Sequence, residues 1–291
     1  MKSNPLVYVI VLAWNHVEDT IECLESLLNS DYQPIRFVLV DNASTDGTSD
    51  IIQNRFPSVE ILRSEVNLGV SGGYNKGMEH AVQRGAEFIL IANNDISVDP
   101  NAIRHLVADM ERKPQAGIGM PKIYHYYGDR DRLWCTGARW RRFPPSVKML
   151  GVNAHDTKKY SLPFEIEYAP SCFLLIRREV IDNIGYFDTD YFFYNDDWDY
   201  SARSRKSGYT IRFVPQAKIW HKVSISTQKS DKPAQWWHYY GRSTFRFYIM
   251  HKSQIQLASF ITWFVIRETL KGKFQRIPPF LNGIKTEQSI F

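Results

Sequence analysis

The alternation of hydrophobic period along the first hundred residues constrains the fold more than any other feature. Val7-Tyr8-Val9-Ile10-Val11-Leu12 is a continuous apolar run rich in β-branched residues, the composition of a strand buried on both faces of a parallel sheet. Ile21, Leu24, Leu27 and Leu28 then recur at helical spacing, and Phe37-Val38-Leu39-Val40 returns to strand composition. Together they make a β-α-β unit. The pattern continues with a short helix over 49–55, a strand over 59–62, a helix over 74–84 and a strand over 87–92. The fold class this predicts is α/β, with a doubly wound, mostly parallel sheet flanked by helices and ligands gathered at the carboxyl ends of its strands.

Those strand ends are polar. Ala13-Trp14-Asn15 follows the first strand, Asp41-Asn42-Ala43-Ser44-Thr45-Asp46-Gly47-Thr48 the second, and Asn93-Asn94-Asp95 the fourth. Asp46 to Thr48 reads as a turn and helix cap. Asp41 and Asp95 sit directly at strand ends, where a nucleotide is expected. A dinucleotide fold would carry Gly-x-Gly-x-x-Gly after the first strand; this chain has Ala13-Trp14-Asn15-His16 there, which argues against NAD. Its glycines come later, in Asn67-Leu68-Gly69-Val70-Ser71-Gly72-Gly73-Tyr74-Asn75-Lys76-Gly77, where they permit close backbone approach and leave helix N-terminal N–H groups for an anion. Gly77 is better explained by a helix packed tightly on the sheet.

From Asp188 to Arg203 the chain crowds carboxylates among rings: Asp196, Asp197 and Asp199 stand beside Tyr191, Phe192, Phe193, Tyr194 and Trp198. A solvated acidic face has no use for the rings, so the segment reads as a partly desolvated acidic site able to supply a general base. Asp199 and Arg203 have the spacing of an intrahelical ion pair. Phe192 and Phe193 are expected in the core, Trp198 in a pocket.

The order of these motifs, followed by Trp220-His221, resembles the inverting nucleotide-sugar glycosyltransferases of family 2, with the GT-A fold, and within them the rhamnosyltransferase-like group; the likeness covers roughly residues 5–250. The resemblance implies a donor pocket of Ala13, Asn15, Asp41, Asn67, Gly72, Asn75, Asn94 and Asp95. It implies a divalent metal, Mn2+ or Mg2+, on Asp95, His221 and, as a neutral oxygen where the family has its first acid, Asn93. Asp197 aligns with the family's base, while Asp196, in place of the usual Glu, and Trp198 are implied on the acceptor side. The donor would be a dTDP- or UDP-linked sugar, L-rhamnose by subgroup, and the acceptor a saccharide or lipid-linked saccharide of cell-surface polysaccharide synthesis. A noncatalytic saccharide-binding scaffold is the alternative, favoured by Asn93 and Asp196 and opposed by Asp95, Asp197 and His221.

The composition, 44% hydrophobic and 23% charged, is globular. A net charge of +5, with basic residues at Arg139, Arg141 and Arg142 and again from Arg242 to Arg276, points to anionic partners, but acids interleave with them and a nucleic-acid partner is not expected. Cys23, Cys135 and Cys172 form no Cys-x-x-Cys pair and read as free thiols of a cytoplasmic protein, and Leu6 to Leu12 is too short for a signal peptide. A catalytic domain is expected over 1–250, its nucleotide half to about residue 120 and its acceptor half beyond, followed by a helical tail over 251–291. The tail runs from apolar Ile255 to Ile266 into Lys271, Lys273 and Arg276, too short to span a bilayer. Two readings of it stay open: a helix on the inner face of the cytoplasmic membrane, or one packed on the domain or at a dimer contact.

Overall fold

The computed structural model describes residues 4–223 and 232–290. Four parallel strands, β1 (Val7–Ala13), β2 (Ile35–Asp41), β3 (Glu60–Arg63) and β4 (Phe88–Asn93), lie in the order β3-β2-β1-β4. The helices α1 (Val17–Leu28), α2 (Thr48–Arg55) and α3 (Gly69–Gln83) connect them. After the short β5 (Ile96–Val98), α4 (Ala102–Arg112) leads into β6 (Ala116–His125), and β7 (Leu133–Cys135) pairs back on β6. A hairpin of β8 (Ala138–Arg141) and β9 (Ser146–Met149) stands apart from the main sheet. Beyond it come β10 (Phe164–Ile166), β11 (Phe173–Arg177), α5 (Arg178–Ile184), α6 (Asp196–Lys206) and β12 (Thr210–His221).

The sheet is mostly parallel, as the sequence pattern predicted, with antiparallel insertions. β11 runs antiparallel to both β4 and β6 and joins the first four strands to the parallel β6–β12 pair. The two apolar segments over 211–214 and 217–220 are one strand with a register shift between Val214 and Lys218, a bulge that leaves both halves paired to β6.

The glycine run is the start of α3, which begins at Gly69 and not near Tyr74. A Cβ at Gly73 would lie 2.4 Å from Leu12 Cδ1, and one at Gly77 would lie 2.2 Å from Ile10 Cγ2. Glycine is required because α3 presses its backbone onto β1, which outweighs the weak helix propensity of four glycines.

The C-terminal helices α7 (Ala234–His251), α8 (Gln254–Leu270) and α9 (Ile277–Gln288) share a second core of Trp237, Phe247, Phe260, Phe264 and Phe280. α7 and α9 touch backbone to backbone: a Cβ at Gly241 would meet the Phe280 carbonyl at 2.1 Å, and one at Gly283 the His238 carbonyl at 2.0 Å. Buried Glu287 accepts from Arg242 at 2.9 Å and Arg246 at 3.1 Å, and Arg246 also reaches Asp188 at 2.9 Å. The tail is thereby fastened to the loop that leads into the acidic motif. One face of α8 stays open, with Ile255, Ile266 and Leu270 exposed. Among the described residues no helix is long and apolar enough to cross a membrane.

Candidate active site

The carboxyl ends of β1, β2 and β4 open onto a crevice of about 310 Å³ lined by Trp14, Asn67, Asn93, Asn94 and Asp95, and by Phe192 from the far side. Its loops are built by their own amides. The Asn15 N–H donates to Ser44 Oγ at 2.8 Å, and the Thr45 N–H returns a bond to Asn15 Oδ1 at 2.8 Å. Asn15 and His16 both take left-handed backbone, with φ near +60°, a conformation non-glycine residues hold only where the surroundings impose it. Asn42 donates to Asn67 Oδ1 at 2.9 Å and receives the Leu68 N–H at 2.9 Å, which fixes the start of α3.

Several residues expected to face the donor are turned to the fold. Asp41 is buried, its carboxylate accepting from the Ser44 N–H at 2.8 Å and from the Ser49 hydroxyl. Asn75 spends both ends of its amide on Phe187, receiving the backbone N–H at 2.9 Å and donating to the carbonyl at 2.8 Å. Ala13 is buried at the end of β1, and a Cβ on Gly72 would meet Leu68 Cβ at 2.8 Å within the helix turn. The Asn93 side chain lines the crevice, and its amide oxygen, implied as a metal ligand, accepts from the Tyr74 hydroxyl at 2.7 Å.

Asp95 and His221 meet at the crevice. His221 Nε2 stands 3.2 Å from Asp95 Oδ1, and the imidazole lies edge-on to Trp134 with centroids 4.8 Å apart. The Lys222 N–H donates to the Asp95 carbonyl at 2.9 Å. The Lys222 ammonium bonds Asp19 at 2.7 Å and Glu22 at 2.6 Å; burial works against its charge, yet the two acids hold it above the ordinary lysine range. The end of β12 is thus locked against α1, and the imidazole position with it. Among the described residues no third His, Cys, Asp or Glu completes a metal cage. The donor set nevertheless fits a divalent cation: one carboxylate and one imidazole converge, the buried His221 Nδ1 has no hydrogen-bond partner, and Mg2+-type sites take their remaining ligands from substrate phosphates and water.

The acidic motif stands at the start of α6, behind a turn in which Tyr194 and Asn195 both have left-handed backbone, φ 68° and 63°. Asp196 is buried, and its Oδ2 has no hydrogen-bond partner. Asp197 accepts from the Trp198 N–H at 2.8 Å and the Ser171 N–H at 3.4 Å. Burial pushes the Asp196 carboxyl up to about 6. Burial, reinforced by the neighbouring Asp196 charge, pushes Asp197 well above the carboxylate range. Two neighbouring carboxyls that both resist ionisation are suited to hold and pass a proton.

Asp199, on the same helix, goes the other way. Burial opposes its ionisation, but His251 Nε2 at 2.6 Å and Arg203 at 2.8 Å hold it below the usual range. The i,i+4 pair with Arg203 was legible in the spacing; the bond from His251 of α7 was not.

One short segment faces two spaces. Phe192 and Phe193 line the crevice, whereas Asn195 and Trp198 line a second cavity of about 250 Å³ bounded by the β8–β9 hairpin, α7 and α8. Asp196 and Asp197 follow in the chain between Asn195 and Trp198. Phe192 and Phe193 are therefore not core residues: Phe192 is 38% exposed and packs on Tyr239 with centroids 5.2 Å apart. Sequence reading passed over their place in the crevice and that of Asp19, because nothing in their local pattern indicates which way they face. Trp14, 56% exposed beside them, was visible as an aromatic residue at a polar strand end.

A mostly parallel sheet flanked by helices, with a crevice at the carboxyl ends of its strands, is the architecture of GT-A glycosyltransferases. The chain is similar in structure to S. aureus TarS 1-349 in complex with UDP-GlcNAc, at 17% identity and a TM-score of 0.62, covering 95% of this chain and 79% of that one. It is also similar to the mannosyltransferase PcManGT from Pyrobaculum calidifontis in complex with GDP-Man and Mn2+, at 16% identity and a TM-score of 0.57, covering 99% and 76%. The protein belongs to glycosyl transferase family 2, whose sequence profile matches residues 8–185. Among curated relatives, the N-acetylglucosaminyl-diphospho-decaprenol L-rhamnosyltransferase of Mycobacterium tuberculosis H37Rv is 26% identical over 88% of this chain and 93% of its own length.

Proposed function

We propose that the protein transfers a sugar, L-rhamnose by its similarity to the mycobacterial relative, from a dTDP- or UDP-linked donor to a hydroxyl of a lipid-linked saccharide, with inversion. The observation that supports this reading is a desolvated carboxylate pair, Asp196 and Asp197, on the same short segment that supplies Phe192 and Phe193 to the crevice and Asn195 and Trp198 to the second cavity. With the donor in the crevice and the acceptor in the cavity, a base on that segment serves one displacement at the anomeric carbon. Asp197 takes the acceptor proton. Burial, with the neighbouring Asp196 charge, raises the proton affinity of Asp197 above that of an ordinary aspartate and so favours that transfer. The remaining roles are orientation and exclusion of water, assigned to Asn67 and Asn94 on the donor and Trp198 on the acceptor.

Asp95 and His221 would hold a divalent metal, Mn2+ or Mg2+. Bound there, the ion neutralises charge that develops on the diphosphate leaving group. A lipid-linked acceptor places the reaction at the cytoplasmic face of the membrane. The noncatalytic scaffold reading is disfavoured by Asp196: one oxygen of this buried carboxyl, Oδ2, has no hydrogen-bond partner, which costs stability, and a pure binding protein gains nothing from it. Incubation with dTDP-L-rhamnose, Mn2+ and an N-acetylglucosaminyl-diphospho-polyprenol should give a disaccharide product whose anomeric configuration, read by NMR, is inverted. Absence of transfer from a full panel of dTDP-, UDP- and GDP-sugars would sink the enzymatic reading.

A further inference from the structure

The second cavity is walled by rings and cations. Trp140, Trp198, Tyr240 and Trp263 line it together with Arg141 and Lys148 of the β8–β9 hairpin. The hairpin, residues 138–149, carries Arg139, Arg141, Arg142 and Lys148 and no acidic residue. Arg141 donates to the Pro144 carbonyl at 3.3 Å and the Ser146 hydroxyl at 3.1 Å, with its guanidinium 5.9 Å from the centre of the Trp263 ring. Among the described residues neither Arg141 nor Lys148 forms an ion pair, whereas Arg267, on the opposite wall, is neutralised by Glu268 at 2.7 Å. Lys252 adds charge nearby: its ammonium stands 3.9 Å from the centre of the Trp140 ring, and burial holds it below the ordinary lysine range. A partly enclosed, ring-walled space with two uncompensated cations has the chemistry of a site for a sugar joined to a phosphate, with stacking for the ring and charge-assisted bonds for the anion.

The surroundings choose among sources of that phosphate. Phe143, at the hairpin tip, is 81% exposed, and the open face of α8 presents Ile266 and Leu270 one turn from Trp263 and Arg267. Tyr248 donates its hydroxyl to the Pro145 carbonyl, which fastens the hairpin turn to α7. Apolar surface beside a phosphate site suits a lipid tail and has no use for a free sugar phosphate. We propose that this cavity binds the glycosyl diphosphate head of a lipid-linked acceptor, with the diphosphate on Arg141 and Lys148, the sugar against Trp140 and Trp198, and the lipid leaving past Phe143 and Leu270. This deepens the transferase reading and rests on it for the proximity of Asp197.

The test is binding, which needs no turnover. The full chain is titrated with farnesyl-diphospho-N-acetylglucosamine, with inorganic pyrophosphate, and separately with UDP and Mn2+ as the crevice control, followed by tryptophan fluorescence and calorimetry. Tight binding of the lipid conjugate is expected, weakened at least tenfold by Arg141→Gln with Lys148→Gln while UDP binding stays within twofold. Exposed Lys148 can be changed alone without threatening the fold, and Lys148→Gln should by itself weaken the conjugate at least threefold. Wild-type affinity in the double variant overturns the proposal, as does pyrophosphate binding as tightly as the conjugate. Failure to bind dTDP, UDP or GDP in the presence of Mn2+, with conjugate binding intact, would instead sink the transferase reading and leave the cavity assignment standing.

Discussion

Asp95 and His221 stand 126 residues apart in the chain, and their side chains meet at 3.2 Å. β5, which begins one residue after Asp95, pairs antiparallel with the end of β12, and the register sets His221 opposite Ile96. A carboxylate and an imidazole are thus presented to the crevice by backbone pairing and not by a flexible loop, the kind of support that a metal site requires.

The first prediction concerns that pair. Asp95→Ala and His221→Ala should each weaken Mn2+-dependent nucleoside diphosphate binding by about tenfold or more, the range in which altered metal sites lose affinity. Calorimetry with and without EDTA checks it. Unchanged affinity in both variants would remove the metal assignment.

Asp197→Asn should lower the transfer rate by roughly 10²–10⁴, the contribution of a positioned general base, and leave nucleotide affinity within twofold. Activity within tenfold of wild type would take Asp197 out of the mechanism.

The proton affinity of the acid pair gives a pH signature. The base works ionised, so kcat/KM should rise with pH and level off well above the ~3.9 of an ordinary aspartate. Asp196→Asn removes the neighbouring charge and should move the acid limb of the profile to lower pH. Stability carries the opposite sign. A carboxyl raised in the folded state favours folding below its unfolded value near ~3.9, and that contribution is lost as pH climbs through about 6. Asp196→Asn should therefore raise Tm relative to wild type at pH 8 and do so less at pH 4. Asp199, depressed by His251 and Arg203, contributes stability above the unfolded value that is lost as pH falls, so Asp199→Asn should destabilise most at neutral pH. Equal shifts at both pH values for the two variants would contradict the assignment.

Gly241→Ala and Gly283→Ala should each destabilise by about 1–3 kcal/mol, the usual penalty for overpacking. The clash in each case is with a backbone carbonyl that cannot swing aside. A fall in Tm of several degrees, with UDP binding preserved at low temperature, is the expected result.

Much of the catalytic half was legible before any coordinates. The apolar runs at Val7–Leu12 and 37–40, the polar strand ends and the acid-and-ring segment are local patterns, and local patterns report directly on strand, helix and turn. What escaped was direction and partnership. β11 inserts antiparallel between β4 and β6, a pairing its own five residues do not specify. Asn75 reads like a ligand of the donor but holds Phe187, 112 residues away, and Asn93 reads like a metal ligand but accepts from Tyr74. An amide has the same donors and acceptors for either task, so only the neighbour decides which it performs.

The sequence by itself determined the α/β class, the family and the residue types at the strand ends, because periodicity and motif order are written along the chain. The tertiary structure decided which of those residues face a cavity, because that depends on groups brought together from distant segments. Asp197 and Asp199 illustrate the division. They lie two residues apart on one helix, and burial opposes the charge of both, yet Asp196 beside one and His251 with Arg203 against the other drive their proton affinities in opposite directions.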